Sequence, residues 1–188
     1  MIRKIVISGG PCCGKSTLIR QLKRKGFSII PESAREIIQK RKGFKATHEE
    51  ILYRQRAIAA KQYEMEARAE RELDNQIVFL DRGLVDNLAY CSIYLGGIPK
   101  DIGSIVKESK YRTVFVLDPL PFVHDGLRTE KGQEEALRIH KEIIKHYSQE
   151  DYNLLNVPVL SKKERLQYVL DKIPELRGEN NGVHRKDI

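Results

Sequence analysis

Eight consecutive residues, Gly9-Gly10-Pro11-Cys12-Cys13-Gly14-Lys15-Ser16, fit the pattern G-x-x-x-x-G-K-[ST] without a gap. Glycines at these positions let a backbone wrap an anion with its N–H groups turned inward. A helix opening at the lysine adds the positive end of its dipole. In such a loop Lys15 reaches the β- and γ-phosphates of a nucleoside triphosphate, ATP or GTP, and the Ser16 hydroxyl ligates Mg2+. The expected nucleotide-binding set is therefore Gly9, Gly10, Pro11, Cys12, Cys13, Gly14, Lys15, Ser16 and Thr17. Cys12 and Cys13 admit two readings: thiols placed for redox control beside a helix N-terminus, or simply small residues that fit a tight loop. Phosphate chemistry of this kind also needs a carboxylate on the metal side, at the end of a neighbouring strand. Asp81 closes the apolar run Ile77-Val78-Phe79-Leu80, and Asp118 closes Val114-Phe115-Val116-Leu117. Pro119 lets Asp118 read equally well as a turn residue. Arg82 after Asp81 puts a charge pair at the mouth of the site, so Ser16 and Asp81 are the expected metal-side residues. The plainer role for Asp81 is an N-cap of the next helix.

The elements that must position these groups alternate between apolar strands and amphipathic helices, the pattern of a parallel sheet covered on both faces. Strands are expected at Ile2–Ser8, Phe27–Ile30, Gln76–Leu80, Thr113–Leu117 and Asn156–Leu160. Helices are expected from Lys15 to near Gly26 and from Glu32 to Lys42, the latter with Ala34, Ile37 and Ile38 on one face. Thr47-His48-Glu49-Glu50 reads as a capping box opening a long helix to about Leu73, carrying Ile51, Leu52, Ile58, Ala59 and Tyr63. A helical segment follows Asp81-Arg82-Gly83, and Gly96-Gly97 with Pro99 marks a loop. Another helix spans Gln133 to Ser148, with Leu137, Ile139, Ile143, Ile144 and Tyr147 at helical spacing. Ser161-Lys162-Lys163-Glu164 is a second capping box before a final helix. The fold class is α/β with five parallel strands, residues 1–173 forming one domain and residues 174–188 a polar tail.

A chain of 188 residues is long enough for one buried core without staples. Thirty-four Lys and Arg against 26 Asp and Glu give a net charge of +8, which suggests an anionic partner. Cys12, Cys13 and Cys91 are an odd set with an adjacent pair, unsuited to a secreted disulfide framework. The N-terminal apolar run is too short for a signal peptide, and no run approaches a membrane span. A cytoplasmic protein without a membrane partner is expected. His140 and His146 lie six residues apart with no cysteine pair beside them, which is not zinc spacing.

Taken together, the glycine-rich loop, Pro31-Glu32-Ser33 after the second strand, Asp81-Arg82-Gly83 after the third and Leu117-Asp118-Pro119 after the fourth resemble one family. It comprises small P-loop AAA-domain ATPases and kinases, related to the ribosylnicotinamide kinase domain and more distantly to deoxynucleoside and thymidylate kinases. Asp125-x-x-Arg128-x-Glu130, Tyr147, Val157-Pro158 and Glu164-Arg165 also resemble it, so the likeness runs over residues 2–173. The resemblance implies a three-layer α/β/α P-loop fold with strand order 2-3-1-4-5, which sets the third strand beside the loop strand and favours Asp81 over Asp118. It implies that Glu32 acts as base toward an acceptor hydroxyl, although Pro-Glu-Ser here replaces the family's Glu-Pro order. It also implies a lid between the fourth strand and the next helix, with Arg128 closing on the transferring phosphoryl group. A planar guanidinium suits that task, since it neutralises charge on equatorial oxygens.

Acceptor recognition is assigned more loosely to Arg82, Arg35, Arg54 and Gln55, which would face the cleft or simply form a charged helix surface. Between Arg20 and Lys45 nine basic residues stand against Glu32 and Glu36. That excess either steers an anionic acceptor or is an ordinary lysine-rich surface. Phe27 and Phe44 alone interleave with it, too few for a single-strand stacking platform. The expected activity is ATP- and Mg2+-dependent phosphoryl transfer to a nucleoside or other small, anionic or nucleoside-like acceptor. Two alternatives are a regulatory ATPase or GTPase switch working through a protein partner and a kinase or ATPase acting on nucleic-acid ends. No Asn-Lys-x-Asp guanine loop occurs.

Overall fold

The computed structural model describes residues 2–41, 43–74, 76–122 and 132–176. Arg128 and the tail from residue 177 lie outside the described residues. In chain order the elements are β1 (Arg3–Ser8), α1 (Lys15–Arg24), β2 (Ser28–Ile30), α2 (Ala34–Lys40), α3 (His48–Glu72) and β3 (Ile77–Asp81). There follow α4 (Leu84–Leu95), α5 (Lys100–Lys107), β4 (Thr113–Leu117), α6 (Gln133–Tyr147), β5 (Asn153–Val157) and α7 (Lys162–Asp171). The five strands are all parallel in the order β2-β3-β1-β4-β5, as the sequence reading expects.

Period-two alternation divides the strand residues between two cores. Val6, Val78, Leu80, Val114 and Val116 face the layer holding α3, α4, α5 and α6. Ile5, Ile7, Phe79, Phe115 and Leu117 face α1 and α7. Both faces are covered, which is why these strands read as near-continuous apolar runs.

Five features differ from the sequence reading. The fifth strand is Asn153–Val157 rather than Asn156–Leu160. It is an edge strand, and its two asparagines bond sideways, Asn153 Nδ2 to Thr113 Oγ1 at 3.3 Å and Asn156 Nδ2 to Asp118 Oδ2 at 3.4 Å. Their polarity hid it, while Val159 from the expected run is exposed. Helix α5 follows the Gly96-Gly97 and Pro99 loop, in a stretch to which the sequence reading assigns no element, and buries Ile102 and Val106. The long helix α3 buries a polar stripe, Glu50, Gln55, Gln62 and Glu66 with Ala59 and Ala69, while Tyr63 faces solvent. Only half of its capping box forms: Thr47 Oγ1 accepts the Glu50 N–H at 3.2 Å, but the Glu50 carboxylate turns to Arg41 and Arg54. Leu137 on α6 is likewise partly exposed, and Ala136, Ile139, His140 and Ile143 form that helix's buried face. Among the described residues no helix is long and apolar enough to cross a membrane.

The buried stripe of α3 is held by ion pairing. Glu66 accepts from Lys4 Nζ (3.1 Å), Gln62 Nε2 (3.0 Å) and the Tyr111 hydroxyl (3.1 Å). Lys4 also reaches Glu70 at 2.8 Å. Removing one member of such a cluster leaves desolvated partners behind. Glu66→Ala is therefore expected to lose about 3 kcal/mol of stability in urea unfolding at pH 7.5. A loss under about 1 kcal/mol would contradict a structural role for the cluster.

Candidate active site

At the carboxyl end of β1 the chain turns sharply into α1. Gly9 and Gly14 hold φ of 128° and 85°, conformations that disfavour a side chain. A Cβ on Gly9 would lie 2.7 Å from the Leu117 carbonyl oxygen, and one on Gly14 would lie 2.1 Å from Arg165 Nη1. Cys12 takes φ of 58° without being glycine. Gly14 caps α1 without a side-chain acceptor, and the first turn carries no acidic residue, so its N–H groups favour an anion. Lys15 is buried, and its Nζ donates to the carbonyls of Gly9 (2.8 Å) and Gly10 (2.7 Å) and to Cys13 Sγ (3.3 Å). Ser16 is exposed toward the cleft, beside Pro11 and Thr17 in its wall. Cys13 is fully buried in the core under the loop, which accounts for it by packing.

The loop opens on a cavity of about 1120 Å³ whose walls include Lys15, Glu32, Arg54, Gln55, Arg82 and Tyr90. Beside the loop five charged groups act on one another, Lys15, Glu32, Asp81, Arg82 and Asp86. Arg82 adopts φ of 74°. It sends Nε to Glu32 Oε1 (3.0 Å) and Nη1 to both the Gly9 carbonyl (3.2 Å) and Asp86 Oδ1 (3.0 Å). Burial works to raise the pKa of Glu32, but Arg82, Lys15 and Arg35 outweigh it and hold the carboxyl below its usual range. Asp81 goes the other way. Burial first, then the charges of Glu32 and Asp86, push its carboxyl up to about 6 against the opposing pull of Lys15 and Arg82. Its Oδ1 is buried without a hydrogen-bond partner.

That orphaned oxygen fits a cation. Mg2+ takes one or two protein oxygens and completes its shell with phosphates and water, so the Asp81 carboxylate with the Ser16 hydroxyl is a donor set of the right chemistry. Both β3 and β4 flank β1, so strand position alone does not separate Asp81 from Asp118. Surroundings do: Asp81 feels Lys15, Glu32 and Arg82, whereas Asp118 accepts a long bond from Asn156 and acts on His140.

The weaker acceptor-side assignments divide. Arg35 and Gln55 line the cavity, and Gln55 Oε1 is buried without a partner. Arg54 lines it too, but its guanidinium is engaged with Glu50 (2.7 Å) and the Arg41 carbonyl (3.2 Å), bracing the turn before α3. Two residues of the basic segment are ion-paired as well, Lys40 with Glu36 and Arg41 with Glu50, the latter guanidinium lying over the rings of Phe44 and Tyr53.

Three residues escaped assignment from sequence. Asp86 accepts from Ser8 Oγ (2.7 Å), the Gly83 N–H (3.1 Å) and the Tyr147 hydroxyl (2.7 Å) besides Arg82. Its i,i+4 spacing from Arg82 was the available signal. Arg165 Nη1 donates to the Cys13 carbonyl at 3.1 Å, and His140 accepts the Gly10 N–H. His140 leaves no local sequence signal, and the Glu164-Arg165 pair assigns Arg165 no role, since both residues reach the loop from distant helices.

Comparison with known proteins agrees with this architecture. The sequence matches the profile of a family described as an AAA domain over residues 4–165. No curated protein matches it. A NadR protein solved in complex with NR is similar, with TM-score 0.74 and 19% identity over 99% of this chain and 54% of that chain. NadR in complex with NAD and AMP-PNP gives 0.70 and 19% over 99% and 52%. The thymidylate kinase from Ehrlichia chaffeensis gives 0.63 and 16% over 90% and 97%. The chain spans about half the length of the NadR chains. At these identities the likeness establishes the fold, that of P-loop nucleoside and nucleotide kinases.

Asp81 gives the site a stability signature. Its folded pKa of about 6 exceeds the ordinary 3.8, so between those values the folded state binds more protons than the unfolded one. Stability therefore falls as pH rises through that window. Asp81→Asn should be more stable than the wild type at pH 7.5, by on the order of 2 kcal/mol, and should lose the slope. Urea unfolding from pH 4 to 7.5 measures this, and a variant no more stable than wild type would contradict the assigned environment.

Proposed function

The chain belongs to this family of AAA domains, and we propose that it is an ATP- and Mg2+-dependent phosphotransferase acting on a small nucleoside-class acceptor. One observation carries the reading. Beside a phosphate-binding loop, two neighbouring carboxylates are driven to opposite protonation behaviour, Glu32 in the cavity wall kept ionised and Asp81, buried at the end of β3, pushed toward the neutral acid with one oxygen unpaired. Divergent environments of this kind separate roles between paired acids.

In this reading the loop amides and the start of α1 bind the nucleotide phosphates, and Lys15 exchanges its loop carbonyls for β- and γ-phosphate oxygens. Ser16 and Asp81 would hold Mg2+, which would supply neutralisation of phosphate charge. Glu32 accepts the proton of the acceptor hydroxyl as its oxygen bonds to the γ-phosphorus in line with the departing ADP. Arg82 keeps Glu32 oriented and ionised, and its guanidinium faces the cavity for an acceptor anion. Arg128 supplies the lid charge. Arg35 and Gln55 meet the acceptor in the same cavity, whose wall also includes Tyr90. The NR of one NadR structure motivates the nucleoside class. The internal pairing of Lys40 and Arg41 weighs against a nucleic-acid end as acceptor, because those charges are already answered. The odd count of three cysteines, with Cys12 and Cys13 adjacent, suits a reducing, cytoplasmic setting.

A panel of nucleosides and nucleoside monophosphates with MgATP should reveal an acceptor. Lys15→Ala and Asp81→Asn should then each lower kcat/KM at least a hundredfold, and Glu32→Gln should lower kcat more than it raises KM. Wild-type transfer by Lys15→Ala would refute the assignment.

A further inference from the structure

One peptide unit of the loop is gripped at both ends. The Gly9 carbonyl accepts from Lys15 Nζ at 2.8 Å and from Arg82 Nη1 at 3.2 Å. The N–H of the same peptide, that of Gly10, donates to His140 Nδ1 at 3.2 Å. Gly10 also lies directly on α6: a Cβ there would sit 2.8 Å from His140 Cβ and 2.9 Å from the Ala136 carbonyl oxygen. The three grips come from α1, the end of β3 and α6.

We infer that His140 is a positioning residue of the phosphate-binding loop, whose neutral imidazole fixes the Gly9–Gly10 peptide plane on which nucleotide binding depends. The inference rests on the nucleotide reading of the loop. When Lys15 turns to phosphate oxygens, the carbonyl end of this peptide keeps only Arg82, and the N–H end keeps His140. Without His140 the plane is free to rotate, and ordering it is charged against binding.

Because Nδ1 accepts, the ring proton sits on Nε2. Protonation would turn Nδ1 into a donor facing another donor. Burial lowers the pKa of His140 most, Asp118 at the end of β4 raises it, and Lys15 lowers it; the net direction is down, favouring the neutral ring. On α4, which packs against α6, Asp86 is bonded to Tyr147 and Ser92 to His146. The bond is therefore complete above the ordinary histidine range and is lost as pH falls through the lowered value.

Binding of a fluorescent ADP analogue in EDTA, from pH 5.5 to 8, tests this on the full chain, where no metal reports on Asp81. In His140→Asn the amide oxygen takes the place of Nδ1 and does not titrate. Wild-type affinity, taken relative to His140→Asn at each pH so that the titrations of Asp81 and of the ligand phosphate cancel, should be level above pH 7 and fall as the ring protonates on the acid side, toward a limit of about tenfold, the worth of one buried hydrogen bond. His140→Asn should bind within about threefold of wild type at pH 7.5 and lack the acid-side loss, whereas His140→Ala should be about tenfold weaker at pH 7.5. Should His140→Ala fail to fold, the wild-type and Asn profiles decide alone. Identical affinities and pH profiles across the proteins, or an Asn variant that keeps the acid-side loss, would overturn the inference. A wild type that does not bind at pH 7.5 overturns the nucleotide reading, and the inference falls with it.

Discussion

The site depends on the buried carboxylate of Asp86. It takes hydrogen bonds from Ser8 at the end of β1, Arg82 at the end of β3, the Gly83 N–H entering α4 and Tyr147 at the end of α6. Four elements converge on one charge, and the charge is answered by one cation and three neutral donors. A left-handed non-glycine residue costs on the order of 1–2 kcal/mol. Arg82 keeps that conformation because its bonds to Asp86 and Glu32 are charge-assisted and largely removed from water. Once Arg82 is set, its guanidinium reaches both the base candidate Glu32 and the loop carbonyl of Gly9. The phosphate-binding loop and the acceptor side are thereby held in one frame.

From that frame follows the separation of the two cleft acids. Glu32 lies against the guanidinium and is kept ionised, while Asp81 is buried beside two carboxylates and retains an unsatisfied oxygen. The second is a destabilising arrangement in the protein by itself. Its persistence fits a residue placed for a cation and not for the fold, since an asparagine would meet the same neighbours at lower cost. The loop is equally unable to hold itself. Arg165 from α7 and His140 from α6 bond its backbone, so the helices that close the two faces of the sheet also shape its phosphate cradle.

Much of this was legible in the residues. The gapless glycine-rich motif placed the loop, and the apolar runs ending in Asp81 and Asp118 gave the sheet its parallel character. Local chemistry wrote those signals: glycines at positive φ and strand residues buried on both faces. What stayed hidden was set by distance. The polar inner stripe of α3 looks like a solvated face until Lys4 and Tyr111 arrive from elsewhere in the chain. The edge strand β5 was displaced by its asparagines, whose partners lie on β4 and just beyond it. Asp86 and His140 carry no motif, and the Glu164-Arg165 pair assigns Arg165 no role, because these roles exist only once the loop is folded against them. Arg54 stands in the cleft wall, while its guanidinium is spent on bracing its own turn.

The kinase-like fold leaves two fates for the terminal phosphoryl group, an acceptor hydroxyl or water, and the cleft geometry argues for the first. A single turnover with ATP labelled in its γ-phosphoryl group, run with Mg2+ and each nucleoside in turn, separates them. The account predicts label on one nucleoside-class acceptor, formed faster than free phosphate and only with Mg2+ present. Label released solely as inorganic phosphate, at a rate no acceptor changes, would contradict it and leave the protein a nucleotide hydrolase.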